Sequence, residues 1–163
     1  MTEDPVPPPD DEPDATDADA AATADGAGFA ADDGHESAYA LLQRGHGLLR
    51  ERHHAQAAVV LERAARLEPG KASILEALGR AYFNSGQHDR ARETFEALLE
   101  IDPSSHYAQF ALGQSLKKLG REREAWVHLR LAVALSPGTP LYRQALARLP
   151  DPKAADEDDT AAG

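Results

Sequence analysis

The sequence predicts an all-α fold in which helical hairpins repeat along the chain as a solenoid. Three ladders of residues recur at an interval of 34 positions: Pro69, Pro103 and Pro137; Gly45, Gly79 and Gly113; Ala57, Ala91 and Ala125. Within each interval, apolar residues twice show the three- and four-residue spacing of an amphipathic helix. A period of this length is typical of repeat proteins, in which each unit buries its apolar face against its neighbours.

The second unit, about residues 72–105, shows the pattern most clearly. Its two apolar stripes are Leu75, Leu78, Gly79 and Tyr82, followed by Ala91, Phe95, Leu98 and Leu99. Gly86 separates the two helices, because glycine suits the left-handed conformation at a helix C-terminus. Asp102-Pro103 ends the second helix, since the residue before a proline avoids the α conformation. We expect Gly79 and Ala91 to let the two helices approach closely.

The same scheme predicts units at about 38–71 and 106–139 and a last helix at 140–149. The expected helices are 37–51, 54–67, 72–84, 88–100, 106–118, 122–135 and 140–149. Thr139 is expected to cap the last helix, Pro140 suits its first position, and Pro150 lies at its end. Leu141, Ala145 and Leu146 are expected to cover the last unit.

Composition divides the 163 residues into three parts. Residues 1–36 contain twelve Asp or Glu and no Lys or Arg, and residues 151–163 contain five acids and one lysine. Such segments have too few apolar groups to offset chain entropy, so we predict two disordered acidic tails. The central residues 37–150 carry sixteen Lys or Arg against eleven Asp or Glu, a net charge of +5.

The sequence shows no recognisable targeting signal, metal-binding motif or catalytic motif. The start of the chain is acidic, no apolar run approaches the roughly 20 residues of a membrane span, and the chain has no cysteine, so we expect a cytoplasmic protein. No two histidines lie one helical turn apart, and His54 and His88 are interpreted as exposed turn residues rather than metal ligands. No serine has the surroundings of a nucleophile. We therefore predict no enzyme activity, no metal and no cofactor.

These residues resemble the tetratricopeptide repeat (TPR) family. The second unit matches best, through Leu75, Leu78-Gly79, Tyr82, Gly86, Ala91, Phe95 and Pro103. The resemblance covers about residues 38–137 and implies a right-handed superhelix of three repeats with a C-terminal capping helix. The chain departs from the family pattern at Gln109, which is polar at a usually apolar place, and at Arg44 and Arg52, where Arg52 replaces a turn glycine.

The resemblance also implies a binding groove, lined by the first helix of each repeat. The predicted partner-binding residues are Tyr39, Leu42, His46, Arg50, Glu76, Arg80, Phe83, Asn84, Tyr107, Phe110, Gln114 and Lys117. Partly exposed aromatics beside cations suit a peptide or helix with apolar anchors and some acidic character. The alternative is that the aromatics only pack between repeats. The lysines and asparagines with which some family members hold chaperone tails are missing, because Leu42, His46, Ala77, Tyr107 and Ala111 occupy those places.

We therefore predict a non-catalytic scaffold or adaptor that binds a partner protein in the concave groove. Two other functions stay open: self-association through an end surface such as that around Arg44, and, less favoured, association with nucleic acid. A further hypothesis is that residues 1–36 weakly occupy the groove, against the alternative that this acidic segment only aids solubility.

Overall fold

A computed structural model describes residues 36–154. In this range seven α-helices follow one another: α1 (Ala38–Arg50), α2 (His54–Leu67), α3 (Ala72–Asn84), α4 (His88–Ile101), α5 (His106–Lys118), α6 (Glu122–Leu135) and α7 (Pro140–Ala147). The bounds agree with the predicted ones to within two residues. The two tails predicted to be disordered are residues 1–36 and 151–163, and apart from residue 36 and residues 151–154 they lie outside the described residues.

The helices pair as hairpins that stack in chain order. Helices α1 and α2, α3 and α4, and α5 and α6 form the three hairpins, and each second helix also packs on the first helix of the next unit. The first helices contact one another, α1 with α3 and α3 with α5, whereas α7 packs on α6. No strand occurs within residues 36–154. The predicted all-α helical repeat fold is confirmed.

The glycine ladder marks the closest approach within each hairpin. A Cβ atom built on Gly79 would lie 2.7 Å from two ring carbons of Phe95, which is fully buried. The equivalent atom on Gly45 would lie 2.5 Å from Leu61, and that on Gly113 would lie 2.7 Å from Leu129. A large apolar side chain of the second helix therefore fills the space that the missing glycine side chain leaves, as the sequence predicted.

The turn inside each hairpin contains one residue in the left-handed backbone conformation, at the same place in every unit. Gly86 and Gly120 have φ angles of 81° and 77°, and Arg52 holds the same place in the first unit with a φ of 64°. The backbone at Arg52 thus follows the glycine pattern even though the residue is not glycine. Only glycine adopts this conformation without strain between Cβ and the backbone, so the first hairpin is strained at its turn.

The polar residue of the third unit is buried with a partner. Gln109 is 8% exposed, and its Oε1 atom accepts a hydrogen bond from Nδ1 of His128 at 2.8 Å. Burial lowers the pKa of His128, opposed by Glu96 and Glu124. A satisfied polar pair explains how this unit tolerates glutamine at a usually apolar position.

The last helix covers the third unit with two of the three predicted residues, because Ala145 is buried and Leu146 packs against the core. Tyr142, Ala145 and Leu149 are buried, whereas Leu141 is 37% exposed, so the prediction for Leu141 is wrong. The Thr139 hydroxyl makes no cap hydrogen bond and instead lies 2.8 Å from the Ser136 hydroxyl. Pro140 is the first helical residue, as predicted.

The described part of the chain continues a little beyond α7. Residues 152–154, predicted to belong to a disordered tail, are helical. The carboxylate of Asp151 accepts a hydrogen bond from the Lys153 amide at 2.9 Å, which satisfies one free donor at the start of this turn. Among the described residues, every helix is too short or too polar to cross a bilayer.

Candidate protein-binding groove

The first helices of the three units carry polar side chains on the face that stacking does not bury. Helix α1 contributes His46 and Arg50, α3 contributes Glu76, Arg80 and Asn84, and α5 contributes Gln114 and Lys117. All of these are at least partly exposed. Because α1, α3 and α5 contact one another in this order, their side chains form one continuous surface, which we call the groove.

A pocket lies in the groove between the C-terminal parts of α1 and α3. It has a volume of about 300 Å³ and is lined by Leu49, Arg50, Arg80 and Asn84. Leu49 is 7% exposed and supplies an apolar wall, while the other three supply charge and hydrogen-bonding groups. A few convergent polar groups on an apolar wall are typical of ligand sites.

The two arginines of the pocket have no acidic partner. Neither Arg50 nor Arg80 lies within 4 Å of a carboxylate oxygen in the described residues, whereas Arg92 and Arg121 each form an ion pair at 2.9 Å or less. Arg80 also lies near enough to the Tyr107 hydroxyl to stabilise its charged form, against burial, which raises the pKa of Tyr107. The pocket therefore carries two guanidinium charges that no described carboxylate contacts directly.

Neighbouring histidines respond to this charge. Burial first, and then Arg80 and Arg50, lower the pKa of His46. The pKa of His54 is lowered by burial and then by Arg52, Arg80 and His53. A second positive charge is disfavoured beside the arginines, so both histidines favour their neutral forms. Arg80 acts on both, which places it at the centre of the positive region.

Glu76 is the one acid predicted for the groove, and it lies one helical turn before Arg80. Burial raises the pKa of Glu76, and Arg80 and His106 partly oppose that change. Glu76 and Arg80 do not approach within ion-pair distance, so the glutamate does not neutralise the arginine by direct contact. The middle of the groove therefore presents both signs of charge.

Several buried polar atoms of this region have no hydrogen-bond partner. They include Oδ1 of Asn84 and Nδ1 of His54. Unsatisfied buried polar atoms are uncommon and point to strain or to a ligand or water. His54 and His88 are both half-buried at the start of a helix, so their interpretation as exposed turn residues is wrong.

Four of the predicted groove residues are buried rather than partly exposed. Leu42, Phe83, Tyr107 and Phe110 are exposed by 6%, 5%, 8% and 0%. Phe83 packs edge-on against His88, Tyr107 against Phe95 in the preceding unit, and Phe110 stacks on Tyr142 of α7 at 4.8 Å. The expectation of partial exposure is wrong for Phe83, Tyr107 and Phe110, because stacking buries each first helix on several sides and not along one stripe.

The remaining predicted residues are scattered. Tyr39 is 64% exposed at the start of α1, and neither it nor Gln114 nor Lys117 lines the pocket. A role for them in binding stays a prediction. Within the described residues, no three His, Cys, Asp or Glu side chains are grouped as a metal site would need. The electrostatic effect of Arg80 on His54 was not predictable from the sequence, because these residues come from different repeats.

The chain belongs to the tetratricopeptide repeat family. The family's sequence model matches residues 48–112 and again residues 85–149. The chain is 32% identical over 97 residues to mouse superkiller complex protein 3, a match of 60% of this chain. It is 34% identical over 55 residues, or 34% of this chain, to the human protein O-mannosyl-transferase TMTC1. The chain spans 6% of the length of each of these relatives.

Solved structures share the fold. MamA from Desulfovibrio magneticus superposes with a TM-score of 0.68 at 22% identity, covering 77% of this chain and 70% of MamA. YrrB, described as having an unusual peptide-binding site, gives 0.66 at 24% identity, covering 69% of this chain and 58% of YrrB. The first TPR of Spaghetti (RPAP3), bound to an HSP90 peptide, gives 0.66 at 16% identity, covering 69% and 89%. At these identities the likeness shows the fold alone.

Proposed function

We propose that this protein is a non-catalytic adaptor that binds a segment of a partner protein in the groove of α1, α3 and α5. The observation that carries this proposal is the pocket in which Arg50 and Arg80 lie unpaired beside the apolar wall of Leu49. Charged groups without partners gain most from a ligand that brings the opposite charge. The HSP90-peptide complex of one structural neighbour and the peptide-binding site named for YrrB support the class of ligand.

The buried aromatics change how the groove works. The partner does not insert between Phe83, Tyr107 and Phe110, because these side chains are already packed in the repeat core. Affinity and register come instead from the polar surface of His46, Arg80, Asn84 and its neighbours, with Leu49 as the apolar contact. Such an interface recognises its partner mainly through complementary charges and hydrogen bonds, and not by enclosing side chains between aromatic rings.

A position scan with a photo-cross-linking amino acid tests the proposal. The cross-linker is placed at Gln114 in the groove or at Val59, which is 60% exposed on the second helix α2. We expect a discrete cross-linked partner from Gln114 and none from Val59. Equal capture from both positions, or capture from Val59 alone, would contradict binding in the groove.

Self-association is a second candidate, favoured by one surface of α6. Val127, Leu131 and Leu135 follow one another at four-residue spacing and are 42–49% exposed. An apolar stripe of this kind gains free energy when it is covered by another chain. Light scattering over a range of concentrations tests it: a mass that rises with concentration and falls back in Leu131→Glu would support it, and a constant monomer mass would exclude it.

A further inference from the structure

We propose that the pocket between α1 and α3 binds the side-chain carboxylate of an aspartate or glutamate in the partner segment. Arg50 and Arg80 provide the cationic contacts, and Asn84 binds the segment's backbone. This inference rests on the proposed function and names the chemistry that the groove recognises. The pocket differs from the chaperone-tail site of the family, whose lysine and asparagine positions are occupied here by Leu42, His46, Ala77, Tyr107 and Ala111.

The charges of the pocket favour an anion. Two guanidinium groups, from α1 and α3, line the same 300 Å³ space, and no described carboxylate lies within 4 Å of either. A guanidinium group stays charged at all physiological pH values, and its planar fork matches a carboxylate. Two like charges on one pocket repel each other, and an anion between them removes that repulsion. Burial lowers the pKa of His46, and the charges of Arg80 and Arg50 lower it further.

The size of the pocket favours a side chain over a small ion. One water molecule takes up about 30 Å³ of liquid volume. A space of about 300 Å³ therefore holds a carboxylate together with the methylene groups and backbone that carry it. Leu49 offers these methylene groups an apolar wall. An inorganic anion would fill a small part of the space and leave this wall uncovered.

Asn84 lines the same pocket, and its side-chain amide group can both donate and accept hydrogen bonds. A peptide bond next to an acidic side chain offers an N–H donor and a C=O acceptor. A peptide can therefore bind Asn84 through its backbone while its carboxylate contacts the arginines, whereas an inorganic anion offers acceptors alone.

The chain's own acidic segment is the other source of such carboxylates. Its last residue, Glu36, lies against Arg44 and Arg63 at 3.3 and 3.7 Å. Helix α1 begins next to this ion pair, and the pocket lies at the opposite end of α1, about 18 Å along the helix at 1.5 Å per residue. Glu36 itself is therefore held away from the pocket, and we assign the pocket to the partner segment of the proposed function.

Peptide selection against the full chain tests the proposal. Random twelve-residue peptides displayed on phage are selected, and binders are synthesised with amidated C-termini. We expect an Asp or Glu at one fixed position. Changing it to the amide should weaken binding about tenfold, or 1.4 kcal/mol, as should Arg80→Gln or Arg50→Gln. The peptide that carries the amide should bind the Arg80→Gln variant almost as tightly as it binds the unchanged protein. Both changes remove the same interaction, so their effects on affinity should not add.

The matched control is Arg66→Gln, which removes one exposed arginine from α2, outside the groove. It should leave the affinity unchanged, and a thermal midpoint measured on each variant shows that the fold is retained. If Arg66→Gln weakens binding as much as Arg80→Gln, the effect is one of net charge and the pocket assignment is overturned. Binding only by a variant that lacks residues 1–35 would show that the chain's own segment occupies the pocket, which also overturns it.

The two proposals fail in different ways. Selected peptides that bind the groove without a fixed acid, or unaffected by Arg50→Gln and Arg80→Gln, would overturn the carboxylate pocket and leave the adaptor function intact. If no peptide is selected, the adaptor function fails, and NMR titration with succinate, compared with neutral succinamide, tests the pocket directly. Saturable shifts of the Arg50 and Arg80 side-chain signals with succinate alone would support it, and their absence would overturn it.

Discussion

Replacing Gly79 by alanine tests the close packing inside the hairpins. The new Cβ would lie 2.7 Å from two ring carbons of Phe95 and 3.1 Å from a third, well inside an ordinary contact of about 3.5–4.0 Å. Phe95 is fully buried, so its ring has no solvent side toward which to move. Overpacking of this kind costs about 1–3 kcal/mol.

A second glycine isolates this cost. Gly47 lies in α1 with only the Arg50 guanidinium near, at 3.9 Å, so Gly47→Ala creates no clash. Alanine is favoured over glycine inside a helix by about 1 kcal/mol, and this term applies to both variants. We therefore expect Gly47→Ala to stabilise the domain by about 1 kcal/mol, and Gly79→Ala to be about 1–3 kcal/mol less stable than Gly47→Ala.

Urea denaturation of the full chain, followed by circular dichroism at 222 nm, measures the difference. The slope of the free energy of unfolding against urea should be the same for both variants, so that the midpoints report stability. If Gly79→Ala is as stable as Gly47→Ala, then Phe95 does not fill the space beside Gly79 and the packing argument is wrong.

Three further predictions concern single residues. Arg52→Gly should raise the free energy of unfolding by about 1 kcal/mol, because it removes a non-glycine residue from a φ of 64°, and an unchanged urea midpoint would contradict the strain. Phe110→Ala should lower it by about 3–5 kcal/mol, since the side chain is fully buried and stacked on Tyr142; a loss of partner binding at unchanged stability would show that the ring is a surface group after all. Arg80→Gln should raise the pKa of His46 towards its usual value, because one of the charges that lower it is removed, and NMR titration of the imidazole signals checks this.

The sequence predicted the fold well because the fold depends on local periodicity. The ladders of Pro69, Gly45 and Ala57 repeat every 34 residues, and each marks a turn or a close contact that every unit needs. Even Arg52, which breaks the glycine pattern, adopts the left-handed conformation of that pattern. The repeated prolines and turn residues set the helix ends. The predicted and observed helix bounds therefore agree to within two residues.

The groove was predicted less well because burial in a solenoid depends on neighbouring repeats. Sequence spacing assigns one buried face to each first helix, but α3 and α5 also pack against the preceding second helix and adjacent first helices. These contacts bury Phe83, Tyr107 and Phe110. The helical spacing of apolar residues within one helix does not predict them, because they involve other repeats. Arg50, Arg80 and Asn84 were predicted individually, but the pocket that joins them spans two repeats, and only the structure shows it.

Amide hydrogen exchange on the full chain, with and without a selected peptide, tests the central claim most directly. The claim is that the second helices and the packed aromatics hold the fold while the exposed face of the first helices binds the partner. We expect added protection in α1 and α3 around Arg50, Arg80 and Asn84, and no change in the middle of α2, α4 and α6. Protection confined to α2, α4 and α6, or to the exposed stripe of Val127 and Leu131, would contradict it.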